Sequence, residues 1–299
     1  MNDQNDFAPE VRNSAWWSGD SRMAASGRLV EAIMTKQGKH TPEDISDREN
    51  VRMGHVMEPI IGRLASDRLN LEIKEAKYAL SHQKEAWLRS HFDFITTDGT
   101  HLIEAKNYNS NVRKKFDVET NRVPQADYAQ CLHEAVVHNV SKVSLAVLFG
   151  GQELQIFQFD FTDQEKEDFI KTSAQYWSFV QTDQIPTPET VEQAKLVYSV
   201  GTDEVITASQ QVEQAIAYLR QVKDQISAAE KEAEKVELQI RNLMGTRGEI
   251  RSVDGTTLVT WRNAKPSMKF NPTALKTAYP DMYNRFVMEV AGSRRFLIK

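Results

Sequence analysis

The sequence predicts an α/β (α+β) core with a central mixed sheet flanked by helices, followed by a C-terminal module with a long helix and a small α+β segment. Three observations predict it. Between residues 48 and 180, segments with helical spacing of apolar residues alternate with segments of strand character. Asp98 and Gly99 form an Asp-Gly pair, which is typical of a hairpin turn. From Val205 to Leu243, apolar residues recur in alternating steps of three and four.

The core elements are expected in the order helix, three strands, helix, two strands and helix. The first long helix covers residues 48–69, and its apolar residues predict one buried face: Met53, Val56, Ile60, Ile61 and Leu64. Strands are expected over residues 74–81, 86–96, 101–107, 142–149 and 154–161. A helix begins near Pro124, and another follows the capping box at residues 162–165.

Pro186 and Pro188 mark the predicted domain boundary, because prolines end the preceding helix. We therefore expect a flexible N-terminus over residues 1–13, a core over 14–185 and a C-terminal module over 186–299. The module is expected to begin with a short helix over residues 189–198 and the long helix over 205–243. A hairpin over 250–261, a further helix over 272–279 and a last strand over 295–299 are expected to follow.

The composition excludes several classes of protein. The chain has 299 residues, of which 40% are hydrophobic and 26% charged, and a net charge of −5, unlike a histone-like cationic binder of nucleic acid. Cys131 stands alone, which excludes an internal disulfide and a multi-cysteine metal site. No apolar run approaches the ~20 residues of a membrane span, and the polar N-terminus does not resemble a signal peptide. We expect a cytoplasmic protein with no membrane contact.

The residues with the clearest chemistry are Asp93, Glu104 and Lys106. A hairpin at the Asp-Gly turn sets Asp93 beside Glu104, while Glu104 and Lys106, two apart on a strand, share a face. Two carboxylates and the carbonyl of Ala105 would suit Mg²⁺ or Mn²⁺, and the lysine can orient or deprotonate a water. This set favours metal-assisted hydrolysis of a phosphodiester. The alternative is an exposed hairpin with ordinary surface charges, although its apolar neighbours indicate a half-buried strand.

Two helices carry further candidates. Glu58 precedes Pro59 on the first long helix and can reach a metal held by the sheet, or else is a solvated carboxylate. Gln130 and His133 lie three apart on the next helix and so share a face. Gln130 can orient a water or contact a phosphate. Alternatively, Gln130 and His133 are surface residues, or core residues whose polar groups are hydrogen-bonded within the protein.

Candidate contacts to phosphate lie in two segments. Arg113, Lys114 and Lys115 form a basic loop that suits contacts with DNA phosphates, which do not depend on base sequence. The alternative is an ordinary solvated loop. Arg22 and Ser26 precede a short helix whose N-terminus can receive a phosphate, although surface arginines and serine caps are common there. The tandem tryptophans at residues 16–17 fit burial better than stacking on a base.

Together these motifs resemble the YqaJ-type viral recombinases, which are related to lambda exonuclease and have the PD-(D/E)xK nuclease fold. The resemblance covers residues 14–180 and rests on the order of its motifs: Gly54-His55-x-x-Glu58-Pro59, Asp93, Glu104-Ala105-Lys106, and Pro124 with Gln130 and His133. It departs in one place, since Asp127 stands where the family often has tyrosine. Residues 189–299 exceed the compact core and carry no specific functional motif.

The resemblance implies a Mg²⁺-dependent exonuclease, with Mn²⁺ able to substitute. It implies 5′–3′ digestion of one strand of linear duplex DNA, leaving a 3′ single-stranded tail for an annealing protein in phage-type recombination. Asp93, Glu104 and the Ala105 carbonyl would hold metal, Glu58 would assist at a second metal, and Lys106 would position the attacking water. Arg22 resembles the arginine that receives the 5′-phosphate.

The resemblance also implies a homo-oligomer, a trimer or a tetramer, in the cytoplasm of a bacterial host. Two alternatives remain open, which are an endonuclease of the same fold and a non-catalytic accessory that binds DNA ends. The C-terminal module is expected to guide DNA or bind a partner, or else to stabilise an oligomer, and not to perform chemistry.

Overall fold

The computed structural model describes residues 9–76, 78–289 and 292–298. The chain divides into two compact units, of which the first ends at Tyr198 and the second begins at Ser199. The helices of the first unit are α1 Pro9–Asn13, α2 Ser18–Met23, α3 Leu29–Lys36, α4 Glu49–Leu69, α5 Gln125–His138, α6 Asp163–Gln181 and α7 Val191–Val197. Its strands are β1 Trp16–Trp17, β2 Ile73–Glu75, β3 Ala79–Ser81, β4 Leu88–His91, β5 Phe94–Thr96, β6 His101–Tyr108, β7 Lys142–Phe149 and β8 Glu153–Asp160.

A five-stranded mixed sheet forms the centre of the first unit, in the order β2-β5-β6-β7-β8. The pairing of β6 with β7 is parallel, and the other pairings are antiparallel. Helix α4 packs on one face, where Ile61 and Ala65 meet Ile103 and Ala146. The other face packs against α5, and α3 and α6 belong to the same larger core. A mixed sheet flanked by helices is therefore confirmed.

Two predicted strands are each divided between two sheets. Over residues 74–81, β2 joins the large sheet and β3 joins a small sheet of order β1-β4-β3; Lys77 lies outside the described residues. Over residues 86–96, β4 belongs to the small sheet and β5 to the large one. The prediction of single strands was wrong here, because a change of sheet leaves the extended backbone, and hence the sequence pattern, nearly unchanged.

Helix α4 is confirmed, and so is the predicted burial of Ile61, but the other four residues of its predicted buried face are not buried. Met53, Val56, Ile60 and Leu64 are exposed, and the buried residues are Ile61, Gly62 and Ala65. The physical reason is close approach, since Gly62 lies against the ring of Phe94 and leaves no room for a larger residue there. Ile61 therefore packs on the sheet together with the small residues Gly62 and Ala65, and the other predicted apolar residues face outward.

The N-terminal segments pack on the core. Helix α1 contacts α3 and β1, in a region where a flexible end is predicted; residues 1–8 lie outside the described part. Trp16 and Trp17 are buried, in agreement with the prediction of burial. A π-helical stretch, Ala24–Arg28, separates α2 from α3, and Gly27 has a φ of 80° within it. Helix α7 belongs to the same unit, because the side-chain amide of Gln193 donates to the Gly27 carbonyl at 2.8 Å.

The second unit contains α8 Gln210–Met244, the strands β9 Glu249–Arg251 and β10 Thr257–Thr260, α9 Pro272–Ala278 and α10 Pro280–Arg285. The hairpin and α9 agree with prediction, since β9 and β10 are antiparallel. The long helix begins at Gln210 and not at Val205, because Ser209 caps it by accepting from the Val212 amide. Residues 295–298 are not a strand, and Lys299 lies outside the described residues. No helix in the described chain is long and apolar enough to cross a membrane.

Candidate active site

The β5–β6 hairpin places Asp93 directly beside β6. Phe94 pairs with Ile103, so Asp93 and Glu104 extend the same antiparallel register by one residue. Gly99 turns the chain with a φ of 77°, which favours glycine. Asp93 Oδ2 accepts from the Ala105 amide at 2.8 Å, which fixes this carboxylate against the strand that carries Glu104 and Lys106. The change of sheet between β4 and β5 thus puts Asp93 at the rim of the large sheet.

Glu104 is buried, with 3% of its surface exposed, and is the centre of the cluster. Lys106 Nζ forms an ion pair with Glu104 Oε1. Gln130 Nε2, from α5, donates to the same oxygen at 2.5 Å. The fold brings Asp93, Glu104, Lys106 and Gln130 together, because α5 packs on the sheet face to which Glu104 points.

Sequence reasoning missed Glu134, a second carboxylate on α5. It is 1% exposed and accepts from Gln130 Nε2 at 3.0 Å, so one amide group binds both glutamates. Glu134 lies four residues after Gln130, on the same helix face. A signal was available, since Glu134 interrupts the apolar end of α5, where a charged residue is unusual without a specific partner.

Arg22 lies at the edge of the same cluster. It forms an ion pair with Asp127 and donates to Tyr108 Oη at 2.7 Å and to Gln130 Oε1 at 3.3 Å. Tyr108 in turn donates to Asp127 at 2.6 Å. Burial raises the pKa of Tyr108 to about 12, although Arg22 opposes this. Asp127 and Tyr108 were not predicted, and they hold the guanidinium of an arginine whose side chain remains one-third exposed.

Glu58 approaches the cluster from α4. Burial raises its pKa above the ordinary value, and the Glu104 carboxylate raises it further, while His55 and Lys106 oppose this. Glu58 is thus close enough to Glu104 and Lys106 for their charges to act on it. Helix α4 and the sheet together supply the carboxylates that the sequence analysis grouped.

Negative charge is crowded at this site. Burial is the main cause that raises the pKa values of Asp93 and Glu134 well above their ordinary values, and the Glu104 carboxylate is the second. The positive charge of Lys106 opposes both shifts. Burial lowers the pKa of Lys106, but the Glu104 and Asp93 carboxylates more than offset this and raise it above its ordinary value. The lysine is therefore an ammonium donor in this arrangement.

A divalent cation fits this chemistry, because carboxylate and carbonyl oxygens are the ligands that Mg²⁺ prefers and a cation relieves repulsion between carboxylates. The donors available are Glu58, Asp93, Glu104 and the Ala105 carbonyl. In the part of the chain that is described, no three such side chains converge on one point as they stand. Lys106 and Gln130 instead engage an oxygen of Glu104.

The segment that contains this cluster matches the model of a known family. Residues 20–141 match the model of the YqaJ-like viral recombinase domain. This segment is therefore similar to the YqaJ-like viral recombinase domain. The predicted family is confirmed over this range, and with it the broad class of recombination nuclease. All the predicted site residues, from Arg22 to His133, lie within the matched range.

Several solved structures are similar to this chain. The alkaline exonuclease LHK-Exo from Laribacter hongkongensis has 12% identity and a TM-score of 0.47, covering 57% of this chain and 90% of its own. A phage-related exonuclease from Haemophilus somnus has 9% identity and a TM-score of 0.41, covering 54% and 82% respectively. No curated protein matches the sequence significantly.

Other predicted residues of the YqaJ-like domain lie outside the cluster. His133 is fully buried between Ser21 and the Arg89 carbonyl, 2.8 and 2.9 Å away, so it supports the core and does not face solvent. Ser26 is exposed in the π-helical stretch and donates to the Met23 carbonyl at 2.7 Å.

The basic segment lies in a 3₁₀ turn, Ser110–Lys115, directly after β6. Lys114 and Lys115 are exposed. Arg113 donates to Glu153 at 3.1 Å and lies over the Phe149 ring at 5.9 Å. The turn follows the strand that carries Glu104 and Lys106, so it remains a candidate for contact with a DNA backbone.

Proposed function

We propose that this chain is a Mg²⁺-dependent exonuclease that digests linear double-stranded DNA. The observation that carries the proposal is the position of Asp93, hydrogen-bonded to the Ala105 amide beside the buried Glu104–Lys106 ion pair, inside a YqaJ-like viral recombinase domain. Oxygen donors with an adjacent ammonium group suit hydrolysis of a phosphodiester, in which negative charge develops on phosphate oxygens.

The residues of the chain divide into metal donors and groups that act on the substrate. Glu58, Asp93, Glu104 and the Ala105 carbonyl would hold Mg²⁺, which supplies Lewis acidity and lowers the pKa of water when bound. Lys106 supplies positive charge and hydrogen-bond donors that orient a water or meet a phosphate oxygen. Gln130 positions the Glu104 carboxylate. Mn²⁺ is expected to substitute because it accepts the same ligands.

The finer features of the proposal follow the resemblance to the recombinase family. We propose 5′–3′ digestion that leaves 3′ single-stranded tails for a single-strand annealing protein in phage-type recombination. We also propose that the chain works in the cytoplasm of a bacterial host as a homo-oligomer, a trimer or a tetramer. Arg22 would contact the 5′-phosphate, and Arg113, Lys114 and Lys115 would contact the DNA backbone.

Linear and circular duplexes of equal length, incubated with purified protein with and without Mg²⁺, test this function. We expect loss of the linear duplex only with Mg²⁺, release of mononucleotides, and no cleavage of the covalently closed circle. Strands labelled at the 5′ or the 3′ end report polarity. Cleavage of the circle would instead indicate an endonuclease, and binding of ends without hydrolysis would indicate an accessory protein.

Substitutions assign the chemistry to this cluster. Glu104→Ala and Lys106→Ala are expected to abolish digestion while DNA binding stays detectable, because phosphate contacts elsewhere supply much of the affinity. Glu72→Gln, an exposed carboxylate before β2, is the matched control and should digest as the wild type does. Digestion at the wild-type rate by Glu104→Ala would contradict the assignment.

A further inference from the structure

Helix α8 presents a long apolar stripe. Over its 35 residues a seven-residue repeat places apolar residues at two core positions of each heptad. The stripe consists of Val212, Ala215, Leu219, Val222, Ile226, Ala229, Ala233, Val236, Ile240 and Leu243. Several members are open to solvent in the second unit, with Ile226 53% and Leu243 72% exposed. A helix with such a stripe is stable when another surface covers it.

The C-terminal half of the stripe opens into an apolar groove of about 800 Å³. One wall is formed by α8, including Ala233, Val236 and Ile240, and the other by the end of the β9–β10 hairpin, including Val259 and Trp261. Arg241 lies over the Trp261 ring, with its guanidinium carbon 4.8 Å from the ring centroid, at the groove. The groove therefore runs along the stripe and is shaped to accept a rod with apolar side chains.

We infer that the groove receives the N-terminal half of α8 from a second copy of this chain, so that two α8 helices pair antiparallel about a two-fold axis. One register places every alanine of the stripe against a larger residue. Ala215 meets Ile240, Ala229 meets Ile226 and Ala233 meets Val222, while Val212 meets Leu243 and Leu219 meets Val236. Large side chains then fill the space left by small ones in each layer.

The other pairings fill the core less well. In a parallel pair in register, Ala215, Ala229 and Ala233 would each meet itself, which leaves adjacent layers underpacked. Moving the antiparallel register by one heptad in either direction sets Ala233 against Ala229 or against Ala215. Because empty volume in a core is destabilising, the layer composition selects the antiparallel register proposed.

Charges flanking the stripe favour the same arrangement. In the antiparallel pair, Lys223 faces Glu230 of the second copy, and the two-fold axis repeats this attraction. In a parallel pair, Glu232 would face Glu237 of the second copy, which is repulsive. A two-fold pair is also self-complementary, since each copy supplies one groove and one filling helix, and of the two proposed oligomers it fits the tetramer, whose symmetry contains two-fold axes.

Chemical cross-linking of the full-length protein tests the register. Ala215→Cys and Ile240→Cys are placed in separate, differently tagged copies that are co-expressed and treated with a short bismaleimide. We expect a cross-linked heterodimer in the mixture and none with either variant alone, because Ala215 lies roughly 38 Å along the axis from its own counterpart in the antiparallel pair. Wild-type protein, with buried Cys131, controls for background.

A substitution in the stripe tests whether it carries the pairing. Ile226→Glu in the cross-linking background is expected to reduce the heterodimer at least about tenfold, since it would bury a charge in the central layers. Leu238→Glu is the matched control, 59% exposed and outside the stripe, and should leave cross-linking unchanged. Circular dichroism verifies that both variants keep the helix.

Three results would overturn the inference. Cross-linking of Ala215→Cys to itself would show parallel pairing. Absence of the Ala215–Ile240 cross-link in helical protein would show that another surface covers the stripe. Equal effects of Ile226→Glu and Leu238→Glu would show that the stripe does not carry the contact. Because cross-links between α8 helices do not depend on catalysis, failure here leaves the proposed nuclease function untouched.

Discussion

The side-chain amide of Gln130 donates to Glu104 at 2.5 Å and holds that carboxylate in place on the sheet. The same nitrogen donates to Glu134 at 3.0 Å, so a neutral group separates two buried glutamates. Under the proposed function, in which Glu104 binds Mg²⁺, a residue that fixes this carboxylate influences both the metal affinity and the rate without touching the substrate.

We therefore expect Gln130→Ala to lower the rate of DNA digestion about 10- to 100-fold and to raise the Mg²⁺ concentration that gives half-maximal rate. Gln130→Glu should be more damaging, because it replaces a donor with a further carboxylate in a site already crowded with negative charge. A Mg²⁺ titration at saturating DNA measures both effects. Gln125→Ala, in the exposed first turn of α5, is the control. An unchanged Mg²⁺ requirement in Gln130→Ala would contradict the positioning role.

Arg22 is expected to distinguish DNA ends. Asp127 and Tyr108 hold its guanidinium, but the side chain stays partly exposed, so we expect it also to meet a terminal phosphate, which carries more charge than an internal phosphodiester. Arg22→Ala should slow digestion of 5′-phosphorylated ends at least about tenfold more than digestion of 5′-hydroxyl ends. Initial rates on the two matched duplexes measure this. Equal slowing on both substrates would exclude the role.

Gly62 determines how closely α4 approaches the sheet. A Cβ at this position would lie 2.8 Å from Phe94 Cε1, inside van der Waals contact. Gly62→Ala should therefore lower the free energy of unfolding by about 1–3 kcal/mol. Gly54→Ala, in the same helix with nothing within 4 Å of the added carbon, should raise it by up to about 1 kcal/mol. Urea denaturation of the two variants makes the comparison, and equal stability would show that α4 can shift freely.

His133 is expected to make folding sensitive to acid. Burial lowers its pKa to about 3. The neutral ring completes a chain of donors, in which Trp16 donates to Ser21, Ser21 donates to Nδ1, and Nε2 donates to the Arg89 carbonyl. Unfolded histidine has a pKa of about 6.5. Below that pH the unfolded chain binds a proton that the folded chain does not, so stability falls as the pH drops from about 6.5 towards 3.

The contribution of His133 approaches about 1.4 kcal/mol per pH unit within that window and vanishes above it. Urea denaturation between pH 7.5 and about 5 should therefore give a shallower loss of stability for His133→Gln than for the wild type. Parallel slopes for His133→Gln and the wild type would argue against a buried neutral imidazole.

The sequence by itself determined the features that depend on neighbouring residues. The Asp-Gly turn, the spacing of Glu104 and Lys106 on one strand and the capping box before α6 follow local rules of backbone geometry, and each agrees with the structure. The seven-residue repeat of α8 likewise needs no tertiary information. The order of the motifs was enough to indicate the recombinase domain.

Only the tertiary structure decided which residues from distant segments meet. It joined Arg22 to Asp127 and Tyr108, and set Glu134 beside Glu104 through Gln130. It also buried Ile61 of α4 while leaving Met53, Val56, Ile60 and Leu64 exposed. Helical periodicity defines a stripe but not the partner that covers it, and an extended segment can join either of two sheets. Burial, and hence the pKa of each carboxylate, depends on that choice, because it is set by the surrounding layers and not by the residue itself.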